Sequence, residues 1–432
     1  MAGSPTMGYA LPTMSLESEL TFNDTSWTDL AAYVEKTAHG PGFPAAQVVD
    51  RLLNTAIREQ ASDVLFEPTS TALEVRFRID GVYHRIARVP LSASDQLLSR
   101  MKVVARLPTH KRQAGQEGRF TLTCDGAPID LRVSFVATLR GERLAMRVLD
   151  RRTLFRGWPE LGLSDPARAG MERAIEAGRG VVLVIGPAGS GKTTTLYAAL
   201  GELHRRRATN ASFVTIEDPV ELELDFAAQI PVDRGAGMDF AAALRLVLRQ
   251  DPEVLLVGEI RDRETAEVAL EAGLTGHVVL ATLHAGDAVE AVVRILDLGL
   301  PRFVVASALG GILSQRLLRK VCEVCGTSTA PKVLPEPHAI AHVPWAPRWR
   351  AGAGCAACHM TSCRGRIAVA EWIGPDEDIR GVIRDAADTG ALRKLLTTRI
   401  HPTMIEEGWT RAAAGEVPVD EVLRVFGSRA LG

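Results

Sequence analysis

The spacing of apolar positions changes twice along the chain. Over 45–59 they fall at Val48, Val49, Leu52, Leu53, Ala56 and Ile57, the three-to-four-residue interval of one helix face. The stretches 63–67, 73–79 and 82–89 then read as strands. The last two are joined by Asp80-Gly81, a dipeptide that accepts the positive φ of a tight hairpin turn. A helical pattern over 94–107 leads to three more strands, 119–124, 129–134 and 143–149, with turns at Asp125-Gly126 and Arg140-Gly141. Residues 45–152 therefore predict one α+β domain with an antiparallel sheet. Before it, 1–44 is a short extension with a helix over 26–36 that the loop HGPGFP ends.

A linker with proline and glycines, 153–165, changes the pattern. A helix over 166–177 comes first. Short β-branched runs at 181–185, 212–216, 254–257 and 278–281 then alternate with helical patterns over 193–206, 240–249, 263–272 and 288–298. Such alternation predicts a mostly parallel, doubly wound sheet over 166–320. Cysteines, prolines and tryptophans gather in 321–370, and 371–432 reads as helical. The expected class is α/β, with an α+β domain in front of the core and a small metal-binding subdomain behind it.

Composition narrows this little. A chain of 432 residues with 46% hydrophobic content can bury a large core in two to four domains. Its formal net charge of −2 supplies no long-range field for nucleic acid or anionic lipid, so no direct nucleic-acid partner is expected. The N-terminus lacks a basic start followed by an apolar core, and no run approaches the ~18–20 apolar residues of a membrane helix. A cytoplasmic protein is expected, with membrane contact only through partners.

The chemistry concentrates where the strand at 181–185 runs into Gly186-Pro-Ala-Gly-Ser-Gly-Lys192-Thr193, a complete G-x-x-x-x-G-K-T phosphate loop between a strand and a helix. Glycines let backbone N–H groups converge on phosphate oxygens, and the helix directs its positive end at the same anion. Gly186, Pro187, Ala188, Gly189, Ser190, Gly191, Lys192, Thr193 and Thr194 are thus the expected nucleotide contacts. Lys192 would reach the β- and γ-phosphates, and the Thr193 hydroxyl would hold Mg²⁺. The cofactors implied are ATP and Mg²⁺.

A second strand, in DPEVLLVGEIRD, ends at Glu259, which could orient or deprotonate the attacking water. The motif lacks the usual strand-end Asp for the metal ion. That role falls either to Glu259 or to an acid in TIEDPVE, which holds Glu217, Asp218 and Glu221. His277 and His284 bracket the strand of TGHVVLATLH, and His284 lies at its C-terminal end, where nucleotides bind in such sheets. Six cysteines are few for this length, and four form the pairs Cys322-x-x-Cys325 and Cys355-x-x-Cys358. The 29 residues between the pairs allow a return, so a Cys₄ Zn²⁺ site of structural type is expected, with His359 and Cys363 as alternative ligands.

Taken together, GPAGSGKTTTLY, TIEDPVE, FAAALRLVLRQDP, VGEIRD, ETAEVALEAGLTGH, TLHAGDA and QRLLRKVC followed by C-x-x-C resemble the secretion ATPases of type II secretion systems and the extension motors of type IV pili, over roughly 45–426. That resemblance implies a RecA-like core, an N-terminal PAS-like α+β domain, a homo-hexameric ring and an inner-membrane platform protein as partner. It implies that Arg119, in GRF, and Arg132, in DLRVS, are arginines that meet the phosphates. It makes Glu217, Asp218 and Glu221 an aspartate box, and His277 and His284 a histidine box. The implied activity is ATP hydrolysis driving pilus or pseudopilus assembly. A non-hydrolysing scaffold ring and a nucleic-acid translocase of related core are the alternatives. Family members carry a sizeable extra N-terminal domain, where 44 residues stand here. TLHAGDA replaces the more usual TLHTNDA, and retraction motors lack the two C-x-x-C pairs.

Overall fold

The computed structural model describes residues 27–38, 42–111, 113–150, 152, 157–207, 211–333, 347–374, 376–386 and 388–431. The expected extension 1–44 lies outside these except for 27–38 and 42–44, as does the start of the linker at 153–156. The chain divides into two units, Met1–Thr153 and Leu154–Gly432, each described by itself.

In the first unit the helices α1 (Trp27–Ala38) and α2 (Ala45–Arg58) are followed by strands β1 (Asp63–Pro68), β2 (Ala72–Ile79) and β3 (Val82–Pro90). Helix α3 (Leu91–Val104) then leads to β4 (Gln116–Cys124), β5 (Ala127–Thr138) and β6 (Gly141–Asp150). The six strands form one antiparallel sheet in the order β3-β2-β1-β6-β5-β4. The expected stripe of α2 is its buried face: Val48, Val49, Leu52, Leu53, Ala56 and Ile57 pack with Phe66, Phe77, Leu131 and Phe135 in one apolar cluster. At roughly 1.5–3 kcal/mol for each fully buried aliphatic side chain, that face favours docking by on the order of 10 kcal/mol before entropy is subtracted. Asp80 and Gly81 both take positive φ, 49° and 83°, which matches the twist of the β2–β3 hairpin.

Unit two opens with α4 (Asp165–Glu176), β7 (Gly180–Ile185), α5 (Lys192–Arg207), β8 (Phe213–Glu217) and β9 (Ala228–Pro231). It continues with α6 (Phe240–Val247), β10 (Val254–Val257), α7 (Arg263–Leu274), β11 (Val278–Leu283), α8 (Ala288–Asp297) and α9 (Arg302–Ala308). Then come β12 (Leu309–Val321), the short pair β13 (Gly326–Ser328) and β14 (Arg350–Gly352), and β15 (Cys363–Ile373). Four helices close the chain: α10 (Glu377–Asp385), α11 (Thr389–Thr397), α12 (Met404–Ala413) and α13 (Val419–Phe426). The sheet order is β15-β12-β7-β11-β10-β8-β9, parallel except for β15, which runs antiparallel to β12.

All six residues of β7 and all six of β11 are buried, as strands covered on both faces must be. Asp239, Asp262 and Asp287 cap α6, α7 and α8 by accepting the N–H three residues on. The structure departs from expectation after 298, because β12 had no counterpart in the sequence pattern. Residues 363–370, placed in the cysteine subdomain, belong to core strand β15, paired with β12 from Ile312 to Val321. The cysteine module is an excursion between these two strands. No described helix is long and apolar enough to cross a membrane.

Candidate nucleotide site

Parallel strands carry their C-terminal ends to one edge of the sheet. Here β7 delivers Gly186, β8 ends in Glu217, β10 is followed by Gly258 and Glu259, and β11 by His284. Glu259 therefore lies between the strands that carry His284 and Glu217, one strand away from the phosphate loop.

The loop is braced from β12. The buried Gln315 side chain donates to the Ser190 carbonyl (2.7 Å) and accepts from Thr195 Oγ1 (2.9 Å), spanning the loop and the first turn of α5. At Gly186 (φ 144°) a Cβ would lie 2.5 Å from the Gln315 carbonyl oxygen, so only glycine fits. Lys192 Nζ donates to the carbonyls of Gly186 (2.9 Å) and Pro187 (3.0 Å). Burial holds the Lys192 ammonium below its ordinary pKa; the Glu259 carboxylate opposes that shift and the Arg316 guanidinium adds to it. Thr193 and Thr194 stand half-buried in the first turn of α5, while Pro187, Ala188 and Gly189 are exposed at the loop tip.

Glu259 is held at both carboxylate oxygens. Oε1 meets His284 Nε2 at 2.8 Å and Oε2 accepts from Arg261 Nε at 2.5 Å, with the carboxylate mostly buried and the imidazole half-exposed. Thr282 Oγ1 donates to the Gly258 carbonyl, tying the two strand ends together. The two strand-end residues picked out from the sequence, Glu259 and His284, are thus in direct contact.

Two of the expected site residues are held by protein partners away from the loop. Glu217 is 4% exposed and enclosed: Tyr197 donates to Oε2 (2.5 Å), and Thr215 (2.6 Å) and Gln229 (3.2 Å) donate to Oε1. Its carboxylate is thus held by three protein donors. The Tyr197 hydroxyl, buried beside that carboxylate, is pushed well above its ordinary pKa. His277 likewise does not reach this site. It sits at the N-terminal end of β11, which pairs with Gly180 and not with the loop, and its Nδ1 meets the Ala272 carbonyl (2.9 Å) and Thr275 Oγ1 (3.2 Å) at the end of α7. Roughly 20 Å of extended strand separates it from His284. Asp218 is more exposed and pairs with Arg234 (3.4 Å), and Glu221 is half-buried beyond it.

Arg119 and Arg132, in the first unit, face one another across β4 and β5, and Arg132 is in register with Arg147 of β6. Arg119 Nη2 lies 2.9 Å from Asp130 Oδ2, whose other oxygen accepts from Thr121 (2.6 Å), so a buried carboxylate aims the guanidinium.

Among the described residues, Cys322, Cys325, Cys355 and Cys358 bring their Sγ atoms within 4.8 Å of one another. Sulfur separations include 3.9 Å (Cys322 to Cys355), 3.8 Å (Cys325 to Cys358) and 3.7 Å (Cys355 to Cys358). Tetrahedral Zn–S bonds of ~2.3 Å place sulfurs ~3.8 Å apart, so the donors fit that ion without His359 or Cys363. Burial disfavours the Cys358 thiolate, but backbone N–H groups of Cys355 and Ser362 and the neighbouring thiols bring its pKa down to about 7, while Cys325 is pushed up to about 11.

Gln315, Arg316, Tyr197 and Arg261 were not singled out from the sequence. The signal for the first two lay in the quoted QRLLRKVC, which carried no assigned chemistry.

Residues 41–424 match the family described as Type II/IV secretion system protein. Type II secretion system protein HxcR of Pseudomonas aeruginosa is 40% identical over 384 residues, covering 89% of this chain and 78% of that one. Type II secretion system protein E of Aeromonas hydrophila is 38% identical over 386 residues, covering 88% and 75%. Among solved structures, the Legionella pneumophila ATPase DotB aligns with a TM-score of 0.68 at 21% identity, over 91% of this chain and 98% of that one. The pilus retraction motor PilT with bound ADP aligns with a TM-score of 0.58 at 25% identity, over 87% and 96%.

Proposed function

We propose that this chain, which belongs to the type II/IV secretion system protein family, is a hexameric ATPase of the cytoplasm. It would hydrolyse ATP to ADP and phosphate and drive assembly of a pilus or pseudopilus through an inner-membrane platform protein. The observation that best supports this is the meeting, at one sheet edge, of a braced phosphate loop and a Glu259–His284 pair at 2.8 Å.

In this reading the N–H groups of the 186–191 loop and Lys192 bind the phosphates, and Thr193 Oγ1 holds the Mg²⁺ that screens their charge. Asp218 and Glu221 would help to hold that ion. Glu259 accepts the proton of the attacking water, and His284 and Arg261 fix its orientation. Arg119, which Asp130 holds, and Arg132 keep the role that the family resemblance gives them, stabilising charge that develops on a γ-phosphoryl group. Cys322, Cys325, Cys355 and Cys358 would hold Zn²⁺ as a structural ion that ties the chain after β12 to the chain before β15 and takes no part in turnover.

ATP turnover per subunit, measured against protein concentration with Glu259→Gln as the blank, tests the reading. Specific activity that climbs with concentration, with an inactive variant that still binds nucleotide, supports an assembled motor. Equal negligible rates for both proteins, even with lipid and a platform protein present, refute hydrolysis and leave a scaffold ring.

A further inference from the structure

The turn after β11 is held from three directions. Glu290 Oε2 accepts from the Gly286 N–H at 2.7 Å, Arg316 Nη2 donates to the Gly286 carbonyl at 3.0 Å, and Glu371 Oε1 accepts from the Ala288 N–H at 3.1 Å. Both polar groups of Gly286 are thereby taken by charged side chains. A Cβ at Gly286 would lie 2.6 Å from the Glu290 carboxylate and displace it. Asp287 caps α8 by accepting from the Glu290 N–H at 2.8 Å, and Glu371 takes the first free N–H of the helix, so the two bonds to Gly286 are those that lie outside the helix's own needs. Immediately before this turn stands His284, bonded to Glu259.

Arg316 links the turn to the phosphate loop. Ser314 of β12 is in register with Ile185 of β7, so Arg316 stands beside the strand end that opens into Gly186. Burial and Arg429 disfavour its charge, while Glu371, Asp287 and Glu290 support it, and its guanidinium is near enough to Lys192 to depress the ammonium's pKa.

Resting on the ATPase reading above, we propose that Arg316 is a positioning residue of turnover: with Glu290 and Glu371 it fixes the 285–288 turn, and the turn sets His284 against Glu259. Removing Arg316 releases one side of Gly286, and the imidazole then samples orientations that leave Glu259 misaligned toward water. The effect falls on the chemical step and not on nucleotide binding.

The test compares the full chain with Arg316→Ala, Arg316→Lys, His284→Ala and the double variant, by steady-state ATP turnover and by equilibrium binding of a fluorescent ADP analogue. Loss of one charged hydrogen bond at the turn predicts a kcat about tenfold lower for Arg316→Ala. Nucleotide affinity is expected to stay within about threefold, Arg316→Lys to recover part of the rate, and the double variant to be no slower than His284→Ala alone. Multiplying losses in the double variant overturn the proposal, as does an affinity loss larger than the kcat loss. Should the Arg316 variants not fold, Glu290→Gln keeps an acceptor for Gly286 and is expected to outpace Glu290→Ala; equal rates overturn it. If the wild type itself turns over no ATP, the ATPase reading fails, and the clamp is read by hydrogen exchange. Gly286 amide protection lost in Glu290→Ala supports the clamp, and unchanged protection refutes it.

Discussion

Replacing Tyr197 by Phe isolates what holds Glu217. Tyr197 is fully buried, its hydroxyl donates to Glu217 Oε2 at 2.5 Å and accepts from the Leu222 N–H at 3.3 Å. Phe fills nearly the same volume, so no cavity contribution enters. What is lost is a hydrogen bond to a buried carboxylate, about 1.5–3 kcal/mol, together with the acceptor for one buried N–H, about 1 kcal/mol. Thr215 and Gln229 still serve Oε1, which keeps the total nearer 2–3 kcal/mol than the sum. In a unit as large as Leu154–Gly432, each kcal/mol is worth about 2 °C, so a fall of roughly 4–6 °C is expected. The assay is calorimetric or circular-dichroism melting of wild type, Tyr197→Phe, Glu217→Gln and the double variant. Because the two side chains share one bond, the double variant should lose about 1.5–3 kcal/mol less than the singles added together. Strict additivity would refute the network. So would a Glu217→Gln protein that melts like wild type yet has lost ATP turnover, since that is the signature of a catalytic acid.

The remaining predictions concern the metal and pH. Purified chain is expected to hold about one zinc per subunit, and Cys355→Ser to lose it; under half an equivalent in the wild type by elemental analysis refutes the four-thiol site. Glu421 is buried, which alone would raise its pKa, but Arg424 and Arg319 hold it below the ordinary carboxylate value. Its contribution to stability is therefore present above about pH 4.3 and lost as pH falls through the lower folded value. Glu371 and Glu407 are raised chiefly by burial, so theirs is present below about pH 4.3 and lost as pH rises through their folded values. Denaturant titrations should show stability rising on mild acidification from neutrality and falling below about pH 4; Glu421→Gln should make the fall shallower, Glu74 and Glu406 being lowered as well, and an unchanged acid limb in that variant refutes the assignment.

How much of this was legible from the chain depends on the distance over which each feature is decided. The phosphate loop needs a strand, a turn and a helix contiguous in sequence, and it was read whole. Helix α2 and the Asp80-Gly81 hairpin are local in the same sense. Strand β12 was missed because its run is broken by Gly310, Gly311, Gln315 and Arg316, and its burial comes from β7 on one side and β15 on the other. Glu217 has the outward pattern of a strand-end metal acid, yet its partner Tyr197 lies 20 residues earlier on another element. That His277 and His284 lie at opposite edges of the sheet follows from the sequence alone, since a residue that begins a parallel strand lies at the edge opposite one that ends it. The site thus divides by range of interaction. Residues that would touch the nucleotide sit in short motifs, because backbone and side chain must converge on one small anion. Those that hold them do not: Gln315 reaches Ser190 across 125 positions and Arg316 reaches Gly286 across 30. Strand order decides these pairs, and no local pattern encodes it, because β12 comes to lie beside β7 only after four other sheet strands have been laid down on the far side of β7.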